Sequence, residues 1–342
     1  MHPVHSGSVS GFLRLFRKPL FLGFAPVLAF AGCSTVQIKL GMKVDLSKLP
    51  VTTMEAAMAH DPAIAPGQKS PLVVTLTGPN GQVFKTEGAG KGKIMWKDLT
   101  VTTSVVSVNK KGTLSLARDP RLSDGKMGHV TITAPSHPDL HADLDIPLRY
   151  NVKYVADFSG AKGTDGINGS DGLDGSMGSP GSMDPNNPSP GGNGGDGADG
   201  GNGQDGSRGG DAPPVQVMLA MHPGPQTLLE AGVLAQGHKE RFYLIDPTGG
   251  SLSVLADGGD GGAGGRAGRG GHGGIGGTGT PNGMNGRDGL DGRSGFDGSA
   301  GSGGSITVLY DPAVAPYLAM LRLSISGGPK PAFKEQPVAP LW

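Results

Sequence analysis

Residues 160–181 read GAKGTDGINGSDGLDGSMGSPG, with glycine at every third position from Gly160 to Gly181. The period resumes over 191–211 as GGNGGDGADGGNGQDGSRGGD, and one frame then runs from Gly259 to Gly304, broken only at Thr280. A three-residue period matches neither a helix of 3.6 residues per turn nor a strand alternating every two. It suits the left-handed polyproline II helix, whose three residues per turn put every third side chain on one edge.

Two structures exploit such a repeat. In a collagen triple helix, proline stiffens the positions between the glycines. Here Pro180 is the only proline of the first run, and the second has none. The sequence therefore favours polyglycine II helices bundled within one chain, their backbone groups paired between neighbouring helices. Blocks 191–211 and 258–279 are mostly Gly-Gly-X, with two bare edges, and are expected at the centre. Blocks 160–181 and 283–304 are mostly Gly-X-Y and are expected at the periphery. Turns are expected at 182–190 and at Thr280–Asn282, and at about 3.1 Å per residue each arm would be about 60 to 70 Å long. Opposite charges line two edges, Asp196, Asp199 and Asp205 against Arg266, Arg269 and His272; either these edges face one another or both are solvated.

The Gly-X-Y runs resemble bacterial collagen-like proteins. The Gly-Gly-X runs resemble the polyglycine II regions of mycobacterial glycine-rich surface proteins, phage tail-tip adhesins and the glycine-rich domain of Obg GTPases. The likeness covers about a third of the chain and implies a style of fold more than a function.

Outward from the blocks the chain is patterned for strands. Val215 to Met221, Leu228 to Ala235, Arg241 to Ile245, Ser251 to Ala256, Ser305 to Tyr310 and Leu321 to Ser326 are rich in β-formers and run directly into or out of the glycine blocks. On the N-terminal side, Leu72 to Thr77 precedes the turn Gly78-Pro79-Asn80-Gly81, and further strands are expected at Lys93 to Val108, Thr113 to Ala117, His129 to Thr133 and Leu144 to Phe158. The fold class is mainly β: an antiparallel, immunoglobulin-like β-sandwich over 70–158, then a strand-anchored polyglycine II bundle over 159–328 and a C-terminal tail over 329–342. No substantial helix is expected beyond the signal peptide, although Thr53 to His60 could form a short one.

Residues 1–32 form a signal peptide, with Arg14, Arg17 and Lys18 ahead of the apolar stretch Leu20 to Phe30. Phe30-Ala31-Gly32-Cys33 resembles the lipobox of bacterial lipoproteins, with Phe30 where that family favours leucine. The resemblance implies lipid attachment at Cys33, a tether over 33–69, and, from Ser34, sorting to the outer membrane. Multiple acyl chains would anchor stably where one would not. Cys33 is the only cysteine of the 342 residues, so the chain contains no internal disulfide.

With 29 basic and 29 acidic residues the chain offers no electrostatic case for nucleic acid. Gly259 to Gly264 matches Gly-x-Gly-x-x-Gly only because any Gly-Gly-X repeat does, and Gly88, Gly90, Gly92 and Lys93 lack the spacing of a phosphate loop. Asp165, Asp171 and Asp174 share an edge, but successive members of a row are about 9 Å apart, too far to share a calcium ion with ligands at about 2.4 Å. Only adjacent helices could build such a site. His137 and His141 have a helical zinc spacing that Pro138 opposes. Trp96 and Trp342 could stack on a sugar, Trp96 more readily filling a core. With no catalytic set, cofactor site or metal site, the expectation is a non-enzymatic outer-membrane lipoprotein. It would be a monomer acting as a structural or adhesive surface element, with a glycan or surface protein as possible ligand. A collagen-like homotrimeric stalk, an ice-binding slab and a carbohydrate-binding or carbohydrate-active β-sandwich remain the alternatives.

Overall fold

The computed structural model describes residues 34–342. Cys33 and residues 1–32, read above as a signal peptide, lie outside the described residues. The chain divides into a unit ending at Asp45 and a second spanning Leu46–Trp342. In the first, α1 (Ser34–Lys39) is closed by Gly41, whose φ of 68° is left-handed and whose amide bonds Ile38 O at 2.9 Å. The fold is mainly β, and helix among the described residues is otherwise confined to 3-10 segments, three residues long except for the nine of Pro312–Met320.

The second unit opens with two antiparallel sheets around one core. The first holds β1 (Thr53–Met58), β2 (Lys69–Thr77), β3 (Val83–Lys85), β5 (Val106–Val108) and β6 (Thr113–Leu116); the second holds β4 (Thr100–Ser104), β7 (Gly128–Ala134) and β8 (His137–Ile146). Side chains alternate as a half-buried sheet requires. Leu72, Val74 and Leu76 of β2 face Val130 and Ile132 of β7 across a core shared with Leu46, Ile64, Ile94, Leu114 and Ile146. Val105, between β4 and β5, is where the chain passes from one sheet to the other. Its φ of 66° puts a β-branched residue in the left-handed region, at a cost of about 1–2 kcal/mol.

Two expectations about this half are corrected. Thr53 to His60 is not helical: β1 pairs with β2 along Thr53–Thr77 to Met58–Leu72, so sheet pairing overrides the helix-forming Met, Glu and Ala. The segment read as a tether is folded from Leu46 onward, with Leu46 and Ile64 each 1% exposed in the core.

A second pair of sheets carries the glycine blocks. One sheet orders β15 (Leu321–Ser324), β13 (Ser251–Leu255) and β9 (Lys153–Asp157), all parallel. The other orders β12 (Arg241–Ile245), β11 (Leu229–Ala235), β10 (Val215–Met221), β14 (Ile306–Tyr310) and β16 (Ala332–Glu335). Val217, Leu219, Leu229, Val233, Leu252, Val254, Ile306 and Val308 fill the core between them. The topology is two repeats of one unit. β9 runs into the blocks at 160–181 and 191–211, and the chain returns through β10; β13 runs into 258–279 and 283–304 and returns through β14. Because β9 pairs with β13 and β10 with β14, the two polyglycine hairpins leave and re-enter the sandwich side by side.

Residues 329–342 are not a free tail. β16 extends the sheet beside β14, and the end of the chain covers the outer face of β11. There Glu230 and Gly232 point away from the core; the Leu341 amide donates to the Glu230 carboxylate, and Leu341 approaches Gly232.

Candidate functional site

Hydrogen bonds define how the four arms pack. Arm 1 (160–181) donates to arm 3 (258–279) in parallel, as in Gly172 N–H to Arg269 O at 2.7 Å. Arm 2 (191–211) donates antiparallel to arm 1, Gly201 to Ser170 O at 2.7 Å, and parallel to arm 4 (283–304), Gly197 to Arg287 O at 2.8 Å. Arm 3 donates to arm 2, Gly268 to Gly201 O at 2.9 Å, and arm 4 to arm 3, Gly292 to Gly268 O at 2.9 Å. Arms 2 and 3 therefore each bond three neighbours, and arms 1 and 4 two. The double-glycine blocks are central and the single-glycine blocks peripheral, as the bare edges imply.

The close approach requires glycine. A Cβ on Gly268 would lie 2.0 Å from Ser170 O, and one on Gly203 2.1 Å from Gly265 O. The arm 3 row facing arm 4 admits one alanine, Ala267, and there the partner is the shorter Ser294, whose Oγ lies 3.3 Å from the Ala267 amide.

The Asp and Asn residues that precede the glycines supply a second set of bonds. On arm 1, Asp165, Asn168, Asp171 and Asp174 accept the backbone N–H of Ala263, Arg266, Arg269 and His272 at 2.8–2.9 Å. On arm 2, Asn193, Asp196, Asp199, Asn202 and Asp205 accept from Met284, Arg287, Leu290, Arg293 and Phe296 at 2.7–2.9 Å. Arm 4 does the same to arm 3: Asp288, Asp291 and Asp297 accept from Gly273, Gly270 and Gly264 at 2.7–2.8 Å. In mid-block, each of the three amide rows of arm 3 thus has an acceptor, one from arm 2 carbonyls and two from Asx side chains of arms 1 and 4. This satisfies backbone groups that a polyproline II helix cannot pair internally.

The charged rows consequently do something other than face one another. Asp196, Asp199 and Asp205 bind arm 4 backbone, while Arg266 and Arg269 offer their own amides to Asn168 and Asp171 of arm 1. The Ala263 amide and then Lys162 hold Asp165 below the ordinary carboxylate range; Arg208 and then the Ser302 amide do the same to Asp211. Among the described residues no three His, Cys, Asp or Glu side chains converge as a metal site. The outer edges carry isolated large apolar side chains, Ile167 and Leu173 on arm 1 and Met284, Leu290 and Phe296 on arm 4, the last 80% exposed. Arg287 and Arg293 alternate with those of arm 4. Like apolar neighbours on one row are about 19 Å apart, so they form no continuous patch.

A polar cluster lies where the two sandwiches meet. Glu230, fully buried, holds His222 Nδ1 at 2.8 Å, and His222 Nε2 lies 3.5 Å from Asp124. Asp124 accepts the Trp342 indole N–H at 2.8 Å. The Trp342 ring meets Phe242 edge-on at 5.9 Å, and the Arg121 guanidinium lies 3.6 Å over that phenyl ring. Beside this cluster a cavity of about 430 Å³ is lined by Asp124, Lys126, Tyr150 and His222. Burial, and then the Asp124 charge, push the Tyr150 hydroxyl up to about 12. His222, Glu230 and Asp124 are committed to one another and to the chain end, so the cluster acts as a clasp between the sandwiches. The sequence reading missed it because its members are scattered from 124 to 342.

The other candidates resolve simply. His137 and His141 sit on β8, where the His137 ring bonds Leu49 O at 3.0 Å and His141 is exposed near Asp143, so they share no ligand. Trp96 is 5% exposed in the first core. Gly88–Gly90 is a 3-10 turn, and the Gly92 amide returns to Thr86 O at 3.0 Å. Among the described residues no helix is long and apolar enough to cross a membrane. Neither a protein-family model nor a curated protein matches the chain.

Proposed function

We propose that the chain is a non-enzymatic structural element of the bacterial cell envelope, held to the outer membrane by lipid on Cys33, with the polyglycine slab as a rigid blade. The observation that carries the reading is the closure of the slab's hydrogen bonding within one chain. A blade whose own arms supply acceptors for all three amide rows of arm 3 in mid-block and for two of the three rows of arm 2 keeps its shape without a partner. That supports a monomer over a collagen-like homotrimeric stalk, in which the glycine edges would be left for other chains.

The adhesive form of the reading shifts with the geometry. The Asp and Asn rows bind peptide amides inside the slab, so display of those rows to glycans has less to recommend it. Contacts with a surface protein or glycan would fall to the outer edges, among residues such as Arg287, Leu290, Arg293 and Phe296.

Light scattering of the chain from residue 34, with metabolic palmitate labelling of the parent and Cys33→Ser chains, tests the proposal. The expected results are a monomeric mass and label that disappears in Cys33→Ser. A trimer, or a parent chain that takes no label, would overturn it, and turnover of a polysaccharide substrate would overturn its non-enzymatic part.

A further inference from the structure

Three buried side-chain polar atoms among the described residues lack a hydrogen-bond partner: Ser70 Oγ, Arg149 Nε and Tyr154 OH. The first two belong to residues that line one cavity of about 350 Å³ in the N-terminal sandwich, with His60, Asp61, Gln68 and Lys69. Orphaned buried polar groups are rare and call for an explanation, and two around one cavity point to something that enters it.

The lining is rich in donors. Arg149 Nη2 is held by Asp61 Oδ2 at 2.9 Å and Gln68 Oε1 at 3.2 Å, which orients the guanidinium and engages one oxygen of each of these acceptors. Its Nε–H is left over, as is the hydroxyl of Ser70, which is 7% exposed on β2. Lys69 and His60 complete the ring. Arg149 and Asp61 balance each other, so Lys69 leaves the lining with net positive charge. The Arg149 side chain is 31% exposed, leaving it room to turn toward an entering group. Guanidinium, hydroxyl and ammonium donors outnumber the acceptors of this lining, Asp61 and Gln68, each of which is already engaged by Arg149, and such a donor excess suits an oxyanion.

We propose that this cavity binds a small oxyanion, a carboxylate or phosphate group, through Arg149, Ser70 and Lys69. The group could be free or carried on a sugar, and the site stands independently of the envelope role proposed above.

The test is calorimetric titration of the full chain with inorganic phosphate, galacturonate and glucose, in a buffer free of other oxyanions, together with Ser70→Ala and Lys69→Gln. One-site binding of phosphate, galacturonate or both at millimolar concentration or below is expected, with none of glucose. Binding of phosphate identifies a free ion as sufficient; binding of galacturonate alone identifies a sugar-borne carboxylate. Ser70→Ala should weaken binding about tenfold, the loss expected for a hydrogen bond to a charged group. It should leave the melting temperature unchanged or raised, because it removes a hydroxyl with no partner in the free protein. Lys69→Gln, at an exposed position, should weaken binding and flatten its salt dependence. Absence of binding by either anion would overturn the proposal, as would binding that both variants leave unchanged.

Discussion

The carboxylate of Asp171 accepts the backbone N–H of Arg269, 98 residues further along the chain, at 2.8 Å. The next residue, Gly172, donates its own amide to the carbonyl of the same Arg269 at 2.7 Å. One Asp-Gly dipeptide thereby grips both polar groups of one residue on a parallel neighbour. The grip repeats for Asn168-Gly169 on Arg266, Asp196-Gly197 on Arg287 and Asp205-Gly206 on Phe296. Arginine and phenylalanine are gripped alike because only their backbone is read, which frees the outward side chains from any role in packing the slab.

The aspartates act as acceptors rather than as charges, so Asp171→Asn should leave stability close to that of the parent. Asp171→Ala should cost about 1 kcal/mol, the net value of one hydrogen bond. Asn168, Asn193 and Asn202 already hold equivalent positions. Urea titration of the two variants separates the cases, and an equal loss in both would mean that the negative charge matters.

Glycine is sterically required at the arm crossings. Gly268→Ala places a Cβ 2.0 Å from Ser170 O, against backbone held on both sides. Overpacking there should cost about 3 kcal/mol or more, at or beyond the upper end for well-packed interiors. Ala267→Gly next to it should change stability little, since the other positions of that row, such as Gly264 and Gly270, are already glycine. Hydrogen exchange across arms 1 to 3 would register the first as slab-wide loss of protection and the second as none.

Acid should loosen the slab. Asp165 and Asp211 titrate below the ordinary carboxylate value, so each favours the folded state above its unfolded pKa of about 4 and loses that contribution as pH falls through its lower folded value. Both side chains are more than half exposed, so the effect is modest and sensitive to salt. Thermal melts from neutral pH down to about pH 2 should show a decline beginning near pH 4 that flattens in an Asp165→Asn, Asp211→Asn double variant. A decline of the same slope in that variant would assign acid sensitivity elsewhere.

Much of this architecture was legible in the sequence, for physical reasons that differ by element. Gly-Gly-X against Gly-X-Y counts bare edges directly, so the central and peripheral places of the arms could be inferred before any contact was known. Val215 to Met221 and Arg241 to Ile245 declared themselves as strands because their β-formers are bounded by glycine and proline. β1 did not, since Thr53–Met58 has helix-forming residues and becomes a strand only by pairing with β2. The position of Asx before glycine was visible in every block, yet its meaning depends on a neighbouring arm up to 98 residues away. The Glu230, His222, Asp124 and Trp342 clasp and the Ser70–Arg149 cavity carry no local motif at all.

The clasp predicts that Trp342→Ala loosens the junction of the sandwiches. The substitution removes the Nε1 bond to Asp124 and the edge contact with Phe242, and aromatic truncations of well-packed rings cost about 3–5 kcal/mol. This ring is partly exposed, so a loss toward the lower end is expected. Hydrogen exchange should rise around Pro120–Leu122 and β12 while the arms keep their protection. Uniform change, or none, would place the coupling of the sandwiches elsewhere.

The same geometry should govern chemical ageing. An Asn-Gly pair deamidates when the glycine nitrogen attacks the asparagine Cγ, expelling ammonia to give a succinimide that water opens to aspartate or isoaspartate. At Asn168-Gly169, Asn193-Gly194 and Asn202-Gly203 the side-chain oxygen and the glycine amide are both bonded to one residue of the neighbouring arm, which holds nucleophile and electrophile apart. Asn80-Gly81 is exposed in the hairpin between β2 and β3, with Gly81 left-handed at φ 73°, its amide bonded only within the turn to Gly78 O at 2.9 Å, and, among the described residues, no partner for the Asn80 side chain. Peptide mapping after prolonged incubation at mildly alkaline pH should find isoaspartate at Asn80 and little in the slab. Unfolding the protein first should bring the slab sites up to the rate of Asn80. Equal rates in the folded protein would mean that the arms open often enough for the clamps to give no protection, and would count against the slab as a rigid body.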